Sequence, residues 1–233
     1  SSSVLARKER WLGALKLDDR LLDQSDPERI RAAMLAGLRE LGLEALPWSR
    51  DARVLQTRIE FARRHDTQAP KPWPQVDDAH LLSTLEEWLA PWLDGISRKD
   101  HLSRLSVGTI LESLLDWPQQ QRLATVAPTH LDVPSGSRIP IEYTAEGPVL
   151  SVRLQEVFGM TETPMLGGGK VPVTMQLLSP ARRPVQVTRD LKSFWARGYA
   201  DVKRELKGRY PRHYWPDNPL EAEATARAKP RGT

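Results

Sequence analysis

The chain has 233 residues, 39% hydrophobic and 27% charged, enough for one large or two small soluble domains with a real core. It has no cysteine, which excludes disulfides, thiolate metal sites and a cysteine nucleophile, and no 18-residue stretch is free of charge, which excludes a membrane-spanning helix. Net charge is +4, unevenly spread: residues 181–233 carry 13 Lys/Arg against 6 Asp/Glu, net +7, leaving 21 against 24, net −3, for residues 1–180. A basic end on a near-neutral body is either a polyanion-facing surface or a solubilising tail. The lack of cysteine fits a reducing compartment, and the cytoplasm is the expected location.

The opening Ser1-Ser2-Ser3, without Met, reads as the front of a piece of a longer protein. Partial alternation around Trp11, Leu15 and Leu17 predicts a strand over about Arg10–Arg20, whose partners are expected upstream. Ser25-Asp26-Pro27-Glu28 is a helix start, and Ile30, Met34, Leu38 and Leu41 continue it to Gly42. A second helix is expected over Ser49–His65, its apolar side on Leu55, Ile59 and Ala62. Three prolines make residues 66–76 a loop. Asp77 and Asp78 then cap a helix with a core face of Leu81, Leu82, Leu85, Trp88, Leu89 and Trp92, kinked or ended by Pro91. Another is expected over Val107–Trp117, and Asp116 caps a short piece through Val126.

The character changes near Pro128. After a turn-rich crossing at 127–138, period-two patterning predicts about four strands: 139–144, 148–158, 171–178 and 184–188. A last helix begins after Thr188 and ends at Gly208. On a ladder of 100° per residue from Lys192, Leu191, Phe194, Trp195, Val202 and Leu206 fall between about 200° and 320°, and Lys192, Arg197, Lys203, Arg204 and Lys207 between 0° and about 140°. The expected fold is therefore α+β. A mostly helical part (25–127) precedes a small, largely antiparallel sheet packed by an amphipathic helix (128–208). An extended basic and aromatic tail (209–233) follows, fraying from 220.

A search for chemistry finds little. Gly167-Gly168-Gly169-Lys170 fails as a phosphate loop. Val171 follows the lysine, Pro164 stands at the first glycine position, and a strand comes next, so a hairpin loop is expected. The five histidines have no metal-ligand spacing, and Pro134-Ser135-Gly136-Ser137 is a turn without the nucleophile-elbow frame. Glu142, Glu156 and Glu162 are read as exposed carboxylates rather than a catalytic pair. No catalytic or metal-binding residue is assigned.

The basic constellation is the best candidate surface. Arg182 and Arg183 sit at a hairpin tip, and Arg189 precedes the helix that carries Lys192, Arg197, Lys203, Arg204 and Lys207. Arg209, Arg212 and His213 follow, interleaved with Tyr210, Tyr214 and Trp215. Several cations on one face suit phosphates, and flat π surfaces beside them suit unpaired bases. The alternative is that the aromatics fold back into the core and the cations form a solvated face.

PSGSRIPIEY (134–143), VRLQEVFGMTETP (152–164), GGGKVPVTMQLLSPARRPVQVTRDLKSFW (167–195) and YADVKRELKGRYPRHYWPDNP (199–219) resemble the C-terminal region of the HrpB family of bacterial ATP-dependent RNA helicases, relatives of the DEAH-box group. RWLGALKLDDR (10–20) and LRELGLEALPW (38–48) resemble the same family upstream. The motor motifs are not in this sequence. The resemblance implies that residues 1–24 are the trailing strand of an OB-like domain. ATP and magnesium would belong to motor domains that precede this region, with no cofactor held here. The partners it implies are single-stranded RNA or DNA and the chain's own helicase core. An interaction module that recruits another protein, through the 159–170 loop or the edge of the 184–188 strand, is the alternative.

Overall fold

The structure, a computed structural model, describes residues 27–226, so the strand expected at Arg10–Arg20 and the Ser25–Asp26 cap lie outside the described residues. The chain forms two compact units. Among the described residues, one holds 27–60 together with Trp73–Gln120, and the other holds Phe61–Pro72 and 121–226.

The first unit is helical. Helix α1 (Pro27–Leu41) buries Met34, Leu35 and Leu38 and is closed by Gly42 at φ 80°, whose N–H returns to the Leu38 carbonyl at 2.8 Å. Helix α2 (Arg50–His65) starts where the Ser49 hydroxyl accepts the Ala52 N–H at 3.0 Å. The helix expected after Asp77 splits into α3 (Asp78–Ser83) and α4 (Leu85–Trp88). The break is at Thr84, whose hydroxyl and backbone N–H both donate to the His80 carbonyl, at 2.8 and 3.0 Å. The N–H bond is the ordinary i→i−4 link, the hydroxyl is a second donor on the same carbonyl, and Thr84 leaves helical geometry at φ −115° and ψ 27°. Trp88 is a core residue, its indole N–H on the Leu81 carbonyl at 2.8 Å. Trp92, expected beside it, is 39% exposed, because a 3₁₀ turn over Ala90–Trp92 around Pro91 rotates it out of the helical phase. Helix α5 (Val107–Ser113) ends short of the expected Trp117. In α6 (Trp117–Val126), Asp116 and Gln119 exchange side-chain-to-backbone bonds at 2.9 and 3.2 Å, a reciprocal cap.

The second unit carries a five-stranded sheet rather than one of about four. Its order is β1 (His130–Asp132), β2 (Arg138–Thr144), β3 (Gly147–Arg153), β6 (Thr174–Leu178), β7 (Pro184–Thr188). Three pairings are antiparallel, and β3–β6 is parallel. The three-residue β1 is too short for its alternation to announce a strand and exists by pairing with β2. Strand β3 stops at Arg153 and yields to a 3₁₀ turn, Leu154–Glu156, so the alternation expected through Phe158 is cut. The crossover between β3 and β6 holds a hairpin of β4 (Met165–Leu166) and β5 (Val171–Pro172), and Gly167-Gly168-Gly169 is its tip. These glycines have φ of 61°, 70° and 82°. A Cβ on Gly167 would stand 2.9 Å from the His65 Cβ and 3.4 Å from the Phe61 ring, so the loop packs where only glycine fits.

One sheet face is core: Leu150 pairs in register with Met175 and Val152 with Leu177, all almost wholly buried. On the other face the Ser151 hydroxyl donates to Gln176 at 2.6 Å. A continuous helix over 191–209 covers the core side. It comprises α7 (Leu191–Ser193), a π-helical segment (Phe194–Gly198) and α8 (Tyr199–Arg209). The same unit buries Asp66 under a two-pronged ion pair from Arg122, at 2.5 and 2.6 Å, which raises the Arg122 pKa through that hydrogen bond. Glu156, expected to be exposed, is buried. It accepts Ser135 (3.2 Å), Ser137 (2.6 Å) and Arg153 (3.0 Å), which compensates the loss of water around its charge.

Candidate nucleic-acid interface

The 191–209 helix does not follow the 100° ladder. The Tyr199 N–H bonds to the Phe194 carbonyl, an i→i+5 link, so the segment turns by roughly a quarter-turn less than five α-helical residues would. On the uniform ladder Tyr199 lies at about 340°, beside the cations. The wide turn carries it into the apolar side, where it is buried with Leu191, Phe194, Trp195, Val202 and Leu206. Phe158, Phe194, Trp195 and Tyr199 form one aromatic cluster with ring centroids 5.0–6.4 Å apart. A Cβ on Gly198 would stand 2.9 Å from the Phe194 ring, so glycine lets that ring lie over the wide turn.

The cluster's polar atoms anchor neighbouring chain. The Trp195 indole N–H donates to the Met160 carbonyl at 2.7 Å, and the Tyr199 hydroxyl to the Pro216 carbonyl at 2.8 Å. Burial pushes the Tyr199 hydroxyl pKa up, with smaller contributions from Tyr214 and Asp217. Past the helix the tail has no regular structure, yet it is laced to the unit. Trp215 is buried, with its indole N–H on the Tyr210 carbonyl at 3.0 Å. Gly159 donates to the Pro219 carbonyl at 2.9 Å, Thr225 to Gln155 at 3.1 Å, and Arg153 to Ala226 at 2.6 Å. Fraying from residue 220 is therefore not what residues 220–226 show, since their backbone bonds hold them down. Trp215 serves as a peg rather than an open stacking surface. Tyr214 is 47% exposed, and His213 lies edge-on to Tyr210 at 5.8 Å.

The cations divide into two groups. Lys203 is ion-paired with Asp217 of the tail, Arg204 with Asp201 at 3.1 Å, and Arg209 with Glu205 at 3.3 Å. Arg189 is bonded to the Thr174 hydroxyl at 2.9 Å and the Glu146 carbonyl at 3.0 Å, tying the β6–β7 end of the sheet to the β2–β3 turn. Arg197 donates to Ser193 at 2.9 Å. Lys192, Lys207, Arg212, Arg182 and Arg183 are exposed and make no ion pair among the described residues. Arg182 adopts φ 59° at the β6–β7 turn. Asp190 caps the helix by accepting the Ser193 N–H at 3.0 Å. That bond, followed by the Ser193 side chain and the charges of Arg197 and Lys192, holds its carboxyl below the usual range.

Beside this face lies a groove of about 580 Å³, lined by Lys192, Trp195 and Ala196 of the helix, Thr161 and Glu162 of the loop, and the Asp217–Leu220 tail. Sequence reasoning missed the countercharges Asp201, Glu205 and Asp217. The i, i+3 and i, i+4 spacings of the first two to Arg204 and Arg209 were available to find them. The Asp217 contact, 14 residues from its partner, had no such signal.

Fold and surface together define an α+β module whose closing helix buries an aromatic side and presents a basic one. Residues 88–219 match the family described as ATP-dependent helicase C-terminal (HrpB_C), and the chain belongs to that family. It is 42% identical over 97% of its length to the ATP-dependent RNA helicase HrpB of Escherichia coli K12, of which it spans 28%. A crystal structure described as the E. coli DExH-box NTPase HrpB superposes with a TM-score of 0.81 at 43% identity, over 88% of this chain and 25% of that one. A second, described as the E. coli DEAH/RHA helicase HrpB, superposes at 0.68 with 41% identity, over 82% and 24%. Among the described residues no helix is long and apolar enough to cross a membrane.

Proposed function

We propose that this chain is the C-terminal accessory module of an ATP-dependent RNA helicase and helps hold single-stranded RNA or DNA, with no catalysis of its own. ATP and magnesium would act in the motor that accompanies it. The observation that carries the reading is the set of exposed cations without ion pairs, Lys192, Lys207 and Arg212 along the helix and tail with Arg182 and Arg183 on the β6–β7 turn. Cations that hold no close ion pair can release counterions when they meet phosphates, which makes binding strong at low salt and weak at high salt. Reversing Lys192, Lys207 and Arg212 to Glu is expected to lower affinity for a single-stranded oligoribonucleotide by roughly tenfold or more at low salt and to flatten the salt dependence. Reversing Arg204 and Arg209, already neutralised along the helix, is expected to cost less. Equal losses from the two sets would sink the reading.

A second reading is docking, on the chain's own helicase core or on another protein. It rests on β7, the edge strand of the sheet, where Val187 is 56% exposed. Pro184 and the register shift at Leu177/Leu178 blunt that edge, which makes it the weaker surface. Val187→Lys is expected to spare oligoribonucleotide binding and would lower RNA-stimulated ATPase of the whole helicase only if the edge docks.

A further inference from the structure

Asp217 pairs with Lys203 from the tail, and Lys207, four residues on in α8 and so on the same helix face, also acts on its carboxylate. The two partners are unequally placed. The Lys203 side chain is 18% exposed, its stem laid against the unit, whereas the Asp217 side chain is fully exposed at 104%. The carboxylate therefore comes to a fixed ammonium from the solvent side, as a ligand oxygen would. Asp217 also lines the groove, which gives it open space to swing into while the buried Trp215 and Pro216 stay in place. Glu162 and Lys192 also line the groove, so its lining carries both signs of charge, and Asp217 is the lining residue that holds Lys203.

We infer that Lys203 and Lys207 form a phosphodiester subsite which the Asp217 carboxylate occupies until nucleic acid displaces it. The inference rests on the proposed nucleic-acid reading and adds an internal competitor to it. An exposed ion pair is weak and is screened by salt, so one phosphate with its own counterions to release can replace it. The tail would then act as a threshold on binding: a strand must supply enough contacts elsewhere on the face before it takes the last pair of lysines.

Asp217→Asn keeps the side-chain shape and removes the competing charge. In fluorescence anisotropy with the full chain and a labelled single-stranded oligoribonucleotide, it is expected to tighten binding by roughly threefold to tenfold at low salt and to steepen the log–log salt slope by about 0.7, one more phosphate contact on a single strand. Lys203→Gln added to Asp217→Asn is expected to abolish that gain. A gain that survives in the double variant belongs to a loosened tail and overturns the assignment. Wild-type binding that Asp217→Asn leaves unchanged or weakens overturns it too, while leaving the wider basic face intact. No binding by either protein overturns both the inference and the reading beneath it.

Discussion

The two sides of the 191–209 helix obey different rules. On the buried side each residue is placed by several constraints at once: Tyr199 packs against Phe158, Phe194 and Trp195 and also holds the Pro216 carbonyl. On the exposed side the cations share a sign but not a state, because Lys203, Arg204 and Arg209 are in close ion pairs while Lys192, Lys207 and Arg212 are not, Lys192 and Lys207 acting on Asp190 and Asp217 only at longer range. Burial converts sequence into structure with little freedom, whereas a count of surface charges says how many cations exist and not how many are available.

The largest effect is expected on the buried side. Tyr199→Ala removes a ring from a four-aromatic cluster and strands the Pro216 carbonyl. The expected loss is about 3–5 kcal/mol of unfolding free energy, measured by urea denaturation. If the loss is below about 1 kcal/mol, the helix is not fastened by its aromatic side. Next in size is Gly198→Ala. In an ordinary helix alanine is the better residue, but here the added methyl meets the buried Phe194 ring, and a loss of about 1–3 kcal/mol is expected from overpacking. A stabilised variant would mean that the π segment relaxes to α-helix and that the cation phase turns with it.

The helical caps were legible because their chemistry is local. Asp77 and Asp116 each accept the backbone N–H three residues on, as their spacing announces, and Ser49, expected inside the helix, does the same. The strands with strict alternation, β2, β3 and β6, were legible for the same reason. What could not be read depends on partners distant in sequence. The strand β1 exists through β2, the parallel β3–β6 pairing depends on a 20-residue crossover, and Glu156 is buried because two serines and an arginine converge on it. In the candidate site, the basic and aromatic residues stand out in the sequence by charge and ring type alone. The structure separated them by facts outside that count: the π turn that shifted the helix phase, the peg-like burial of Trp215, and the tail carboxylate on Lys203.

The smallest expected effect tests the exposed side through acid. A hydrogen bond from Lys203, then its charge, then that of Lys207, hold the Asp217 carboxyl below its ordinary 3.8. A carboxyl with a depressed folded-state pKa stabilises the fold above its unfolded value, and that increment is lost as pH falls through the folded value. The difference in urea midpoint between wild type and Asp217→Asn should therefore be constant from neutral pH down to about 5 and shrink as pH falls through the depressed folded-state value of the carboxyl. NMR titration of the Asp217 carboxyl should show it moving back toward 3.8 in Lys203→Gln. If it titrates at 3.8 in the wild type, the tail does not hold Lys203 in solution, and all the helix cations except Arg204 and Arg209 would count as free.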